Sequence, residues 1–230
     1  MKAQIVYIKD HKESEQQAQQ ALTSFEKYKW DVKLHEGLVA ENIEDTEEFK
    51  NYKIIKNSRL LDFKVENRHK YLTKMACAIN HVRFWNKVIE TNEPMAFIEH
   101  DGICTMTWDN LEWNDYLILN CEFVFRPPNK LGLLQFMNYD WKTFGLSRWA
   151  ADYPLKYHKE NVWKGSDMAP GTGAYAITPQ GARKMLKAVG THGLDQSDFM
   201  INSFNLKMQT CIPSPVTFNS INLSTSYGTL

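Results

Sequence analysis

The nine residues at 94–102, Pro-Met-Ala-Phe-Ile-Glu-His-Asp-Gly, restrict the fold more tightly than any other stretch of the chain. Met95, Ala96, Phe97 and Ile98 form a short apolar run between Pro94 and Gly102 that stops abruptly at Glu99, His100 and Asp101, the pattern of a buried strand. Buried parallel strands of open α/β sheets present functional groups at their carboxyl ends, in the crevice where ligands bind. Two carboxylates emerge there together. Hard divalent cations such as Mg²⁺ and Mn²⁺ take oxygen ligands, so Glu99 and Asp101 suit a cation that also touches the phosphates of a substrate. The same residues also suit a strand end capped by solvated acids, and spacing alone does not separate the two.

A chain of 230 residues is long enough for one α/β domain with a sizeable core, and residues 1–230 are read as a single domain. Basic and acidic residues balance at 27 each, without a long basic run, which gives no support to binding of nucleic acid by charge. Cys77, Cys104, Cys121 and Cys211 form no CxxC pair and read as reduced core residues. Residues 1–7 hold one cation and a short apolar stretch, too little for a signal peptide or a membrane anchor. The expectation is a soluble, cytoplasmic protein without a transmembrane segment.

Strands and helices alternate along the chain. Residues 4–8 read as a strand, 13–28 as a helix with Ala18, Ala21, Leu22 and Phe25 on one face, and 31–35 as a second strand ending in Glu36 and Gly37. Residues 41–68 are polar and weakly periodic, a connection with partial helix. Between 71 and 90, Met75, Ile79, Val82, Trp85, Val88 and Ile89 recur at helical spacing and predict a long buried helix leading into the 95–98 strand. Further strands are expected at 116–121, 131–136 and 174–177, with a surface segment at 108–113 and an aromatic loop at 139–163. A helix at 179–189 opens on Pro179, a short helix spans 198–202, and the tail from Pro213 reads as irregular. This alternation predicts an α/β fold with a mixed, mainly parallel sheet.

Asn80 and His81, taken alone, read as satisfied polar residues of a helix. Together with their surroundings they resemble the signature of glycosyltransferase family 25, the lipooligosaccharide and procollagen galactosyltransferase-like enzymes. Ala76-Cys77-Ala78-Ile79-Asn80-His81, then Phe84-Trp85, then Phe97-Ile98-Glu99-His100-Asp101 follow the order and spacing of that family's Gly-Cys-x-Leu-Ser-His helix and its Glu-Asp-Asp strand end. Gly171-Thr172-Gly173-Ala174-Tyr175-Ala176-Ile177 and Pro179-Gln180-Gly181-Ala182-Arg183-Lys184-Met185-Leu186 resemble its later strand and helix, and Asp195-Gln196-Ser197-Asp198 its late acidic motif.

The resemblance implies a single-domain, Rossmann-like A-type glycosyltransferase fold. It implies transfer of a hexose, galactose or glucose, from a nucleotide diphosphate sugar such as a UDP-hexose to a glycan or other hydroxyl acceptor, with Mn²⁺ or Mg²⁺ and with inversion. Asp101 is then the cation ligand, with Glu99 orienting it or touching the ribose. Ile8, Lys9, Glu36, Gly37, Asn80, His81, Glu99 and Gly173 become donor-site positions, His81 acting by orienting the acidic strand end. Asp198 becomes the general base, because a carboxylate bound to the cation is a poor proton acceptor; as a residue type it equally suits a helix N-cap.

The late motif lacks the family's usual Pro, which makes Asp198 a better match than Asp195, and two further departures qualify these expectations. Lys9-Asp10-His11-Lys12-Glu13 stands where the family has Asn-Leu-Asp followed by arginines, and His100 replaces the central acid. Alternation along a strand sets His100 opposite Glu99 and Asp101 and leaves its role open. Both departures also suit a degenerate member that binds a nucleotide sugar or glycan without turnover, while a nucleic-acid base glycosyltransferase is disfavoured by the neutral charge. His69, His158 and His192 have no ligand-like spacing to the acidic strand. Trp141, Trp149, Tyr153, Tyr157 and Trp163 suit either stacking on a sugar or a packed lid or dimer surface.

Overall fold

A computed structural model describes residues 1–56, 58–108, 112–120, 172–211 and 214–218. Strand β1 (Lys2–Tyr7) leads into helix α1 (Lys12–Lys27), whose Ala18, Ala21 and Phe25 are buried, and the chain returns as β2 (Asp31–Glu36). A single 3-10 turn at Ile43–Asp45 and two short helices, α2 (Glu47–Asn51) and α3 (Arg59–Glu66), occupy the polar connection. Helix α4 (Arg68–Thr91) is capped by Asn67, which accepts from the Lys70 N–H, and ends at Asn92 in the left-handed conformation with φ 52°. It feeds β3 (Met95–Glu99), and a two-residue turn holding His100 and Asp101 leads to β4 (Gly102–Cys104).

Beyond these lie β5 (Tyr116–Ile118), β6 (Ala174–Ile177), helix α5 (Pro179–His192), the one-turn α6 (Ser197–Met200), β7 (Met208–Thr210) and β8 (Val216–Phe218). Six strands form the main sheet in the order β2-β1-β3-β6-β5-β7; β1 pairs parallel with β2 and β3, β5 pairs parallel with β7, and only β6 runs against its neighbours. The expected mixed, mainly parallel α/β sheet is thus present. Strand β8 pairs antiparallel with β4 in a separate ribbon, so residues 216–218 are extended and paired where the sequence reading has an irregular tail.

Each face of the sheet carries its own core. Phe97, Tyr116, Tyr175 and Ile177 pack with Met75, Ile79, Phe84 and Trp85 of α4 and Met185 of α5 on one side. Ala3, Ile5, Ala96, Ile98 and Ala176 pack with Ala18, Ala21 and Phe25 of α1 on the other. Phe84, Trp85, Ile98 and Tyr175 are fully buried, each side chain of this kind contributing about 1.5–3 kcal/mol in area removed from water. Small residues at Ala96, Ala174 and Ala176 face α1, while rings at Phe97 and Tyr175 face α4 and lie stacked with centroids 5.4 Å apart. Glu99, the last residue of β3, continues the Phe97 row, and His100 follows in the turn.

The expected strand at 131–136, the aromatic loop at 139–163 with its tryptophans, His158, Cys121 and Gly171 lie outside the described residues.

Candidate active site

The carboxyl ends of β1, β2 and β3 meet the start of β6 at one edge of the sheet, because β6 is reversed. Val6 lies beside Glu99 and Tyr7 beside Glu36 in the strand registers, and the Glu99 N–H donates to the Gly173 carbonyl at 2.7 Å. A Cβ at residue 173 falls 2.8 Å from the Phe218 ring and 3.0 Å from Glu99 Oε2, so glycine is what lets the chain approach the carboxylate. Gly37 is equally tight: a Cβ there falls 2.8 Å from Val6 and 3.3 Å from the Asn80 amide.

The structure divides the expected donor positions into two groups. Ile8 and Lys9 follow β1; the Ile8 N–H donates to Ser14 Oγ, and Lys9 pairs with Glu36 at 3.4 Å across an exposed surface. Asn80 accepts from the Leu38 N–H at 2.8 Å and donates to its carbonyl at 3.1 Å, clamping the turn that holds Gly37. Asn80 therefore shapes the donor edge by fixing backbone. The second group is acidic. Glu99 lies in the field of Asp101 and Asp198, with Lys74 of α4 the opposing cation.

Glu99 is exposed at the end of β3, with Gly173 and the charges of Asp101 and Asp198 close by. Desolvation there, with the charges of Asp101 and Asp198, raises its pKa to about 8. The native state then holds this proton more tightly than the unfolded chain. Stability in the absence of divalent cations is expected to fall as pH rises from about 4.5 towards about 8, and Glu99→Gln to flatten that limb. Thermal melts in chelator across this range test it; identical pH dependence in both proteins contradicts it. The exposure of Glu99 to solvent makes the slope shallower than full burial gives.

Cys77, on the same side of α4, feels both Glu99 and Asp198, and burial with these charges pushes its thiol up to about 11. It is therefore a protonated thiol, unsuited to nucleophilic or metal-ligand duty. His100 is in the field of His11 and Glu13 of α1 as well as Asp101, and burial lowers its pKa. His100 lies in the turn after β3, beyond the strand whose alternation the sequence reading extended to it. Asp101 is raised by burial, against the opposing pull of His100.

Asp101 also answers whether a cation fits. Its Oδ1 is buried and has no hydrogen-bond partner among the described residues, and an anionic oxygen in that position is costly unless a cation or donor meets it. Three His, Cys, Asp or Glu side chains do not converge into a complete cage among the described residues. The donor set therefore fits an ion held by one or two carboxylates, with substrate oxygens and water completing its shell.

Asp198 meets the same Thr172–Gly173 strap as Glu99, through Thr172. Its Oδ1 accepts from the Thr172 N–H at 3.3 Å and from the Thr172 hydroxyl at 3.2 Å. The N-cap of α6 is Gln196, without a side-chain cap bond, so capping is not the task of Asp198. Asp195, by contrast, is fully buried and accepts from the Ser58 hydroxyl at 2.5 Å and the Gln196 N–H at 2.8 Å, tying the late motif to the start of α3.

His81 departs from its expected role. Its ring is only 2% exposed and lies 4.2 Å from the Phe97 centroid; Nδ1 meets the Tyr175 hydroxyl at 2.8 Å and Nε2 the Thr172 hydroxyl at 3.4 Å. It is thus linked to Asp198 through Thr172, and the acidic strand end is not its partner. The spacing of the sequence could not show this, since Thr172 is 91 residues away. Thr172, Tyr175, Trp85 and Lys74 were not among the expected site residues; the first three lie inside quoted motifs, while Lys74 has no sequence signal.

A mainly parallel sheet with carboxylates gathered at one edge defines the class of α/β enzymes that act on ligands held at strand ends. The model of glycosyltransferase family 25 (LPS biosynthesis protein) matches residues 3–201, and the chain belongs to that family; it is a glycosyltransferase. Among solved structures the chain is similar to a galactosyltransferase, LgtC, solved in complex with donor and acceptor sugar analogs. The identity is 11% and the TM-score 0.39, over 91% of this chain and 73% of that one. No curated protein matches the chain. No described helix is long and apolar enough to cross a membrane.

Proposed function

We propose that this glycosyltransferase moves a hexose, galactose or glucose, from a UDP-type nucleotide sugar to a hydroxyl of a glycan, with inversion and with Mn²⁺ or Mg²⁺. The observation that carries the reading is the pair of distinct carboxylate environments: Asp101 has an oxygen buried without a partner among the described residues, while Asp198 accepts from the N–H and the hydroxyl of Thr172. Asp101, assisted by Glu99, would hold the cation, and the cation supplies charge neutralisation for the departing diphosphate. Asn80 holds the Gly37 turn against which the nucleotide lies. Asp198 takes the proton of the acceptor hydroxyl as its oxygen bonds to the anomeric carbon and the bond to the diphosphate breaks. One displacement with one base gives inversion. The described cysteines are free thiols, which suits work in the reducing cytoplasm.

A thermal-shift screen of nucleoside diphosphates and nucleotide sugars, with and without Mn²⁺, tests the proposal, since a ligand bound only by the native state raises the melting temperature. UDP with Mn²⁺ is expected to raise it most, and UDP-hexose hydrolysis to require the metal. Equal melting temperatures with every nucleotide refute a donor site.

A further inference from the structure

We infer that a one-way hydrogen-bond chain from Trp85 through Tyr175 and His81 to Thr172 positions Asp198, making Thr172 and Tyr175 positioning residues for transfer. The inference rests on the assignment of Asp198 as base.

The direction of the chain follows from donor and acceptor chemistry. The Trp85 indole N–H can only donate, and it donates to the Tyr175 hydroxyl oxygen at 3.1 Å. Tyr175 has no exposure, and the other partner of its hydroxyl among the described residues is His81 Nδ1 at 2.8 Å, so its proton belongs there. The opposite polarity strands that proton in a dry core. His81 is neutral under burial, so with Nδ1 accepting, its single proton is on Nε2, directed at Thr172 Oγ1 at 3.4 Å. The Thr172 oxygen is thus engaged as an acceptor, and its own proton goes to the stronger of its two remaining neighbours, the Asp198 carboxylate over the Ser197 hydroxyl, both at 3.2 Å.

Each link fixes the next, from a rigid indole to the carboxylate. Stacking of His81 and of Phe97 against Tyr175, with the Phe97 ring also 4.2 Å from His81, resists ring rotation as an escape. The residue after Thr172 is Gly173, whose carbonyl receives the Glu99 N–H, so the same strap sets the distance between the acidic pair and the base. A general base must sit within hydrogen-bond reach of the proton it removes, and a misplacement of about 1 Å can lower turnover by ~100-fold.

Thr172→Val keeps the shape and the backbone N–H but deletes the hydroxyl, whereas Thr172→Ser restores it. With UDP-hexose and a transfer-competent acceptor, Thr172→Val is expected to lower kcat by ~10- to 100-fold with the donor KM unchanged, and Thr172→Ser to recover most of that loss. In an Asp198→Asn background Thr172→Val is expected to add nothing. Nitrogen-15 NMR of the wild type is expected to show His81 as the Nε2–H tautomer, with the preference relaxed in Tyr175→Phe. A folded Thr172→Val with full kcat beside an impaired Asp198→Asn overturns the chain and leaves the base in place. Full activity of Asp198→Asn overturns both, and an Nδ1–H tautomer in the wild type overturns the chain whatever the rates.

Discussion

Asp101→Asn is expected to abolish the Mn²⁺-dependent part of UDP stabilisation while leaving the protein folded. At a ligand concentration 100 times its Kd, stabilisation is about 2.7 kcal/mol, or ~5 to 10 °C for a chain of this size. The substitution preserves shape and removes the charge of the carboxylate whose Oδ1 is buried without a partner. It also relieves Glu99, since the Asp101 charge is one of the causes that raise the Glu99 pKa. The metal-free variant should therefore melt no lower than the wild type, which separates loss of a ligand from loss of the fold. A variant that retains the full Mn²⁺-dependent shift removes Asp101 from the cation site.

The second large effect is at Asp198. Asp198→Asn keeps an oxygen able to accept from Thr172 and removes the capacity to take a proton, so transfer is expected to fall by ~100-fold or more. Donor affinity, read from the UDP thermal shift, is expected to stay within error, because the proposed role of Asp198 is toward the acceptor and its described bonds are to Thr172. Loss of donor binding together with activity would instead place Asp198 among the cation ligands. Unchanged transfer leaves it a structural acceptor for Thr172.

What the sequence could reveal depended on the range of the interactions involved. Helix α4 and strand β3 are legible because each carries its own periodicity, and the acids at the end of β3 are legible because an apolar run cannot stop that way without reaching water. Strands β4, β7 and β8 span three residues each and have no pattern of their own; pairing alone makes them extended, as Val216 with Cys104 shows. Their existence depends on partners more than 90 residues away, which local reading cannot supply. The insertion of β6, reversed, between β3 and β5 likewise has no local signal.

The candidate site divides the same way. Glu99 and Asp101 share one strand end and are found together in the chain. Asp198 was separable from a helix cap only once Thr172, 26 residues earlier, was seen to donate to it. His81 was legible as a site residue through its motif, but its partners were misassigned, because its ring faces β6 and the distance along the chain hides that neighbour. Asn80 and Gly37 show a related limit: what ties them is a bond from a helix side chain to the backbone of a turn 42 residues before it.

The reversal of β6 has one more consequence. Strand β5 runs with β1 and so ends at the edge that holds Glu99, while β6 begins there, one hydrogen-bonded step away. The end of β5 and the start of β6 thus lie side by side, with the Leu119 N–H donating to the Ala174 carbonyl. Closing a span between such ends becomes harder only logarithmically with its length, about 0.6 kcal/mol for each doubling. Two neighbouring strand ends of this kind therefore place almost no limit of their own on the length of chain that can join them.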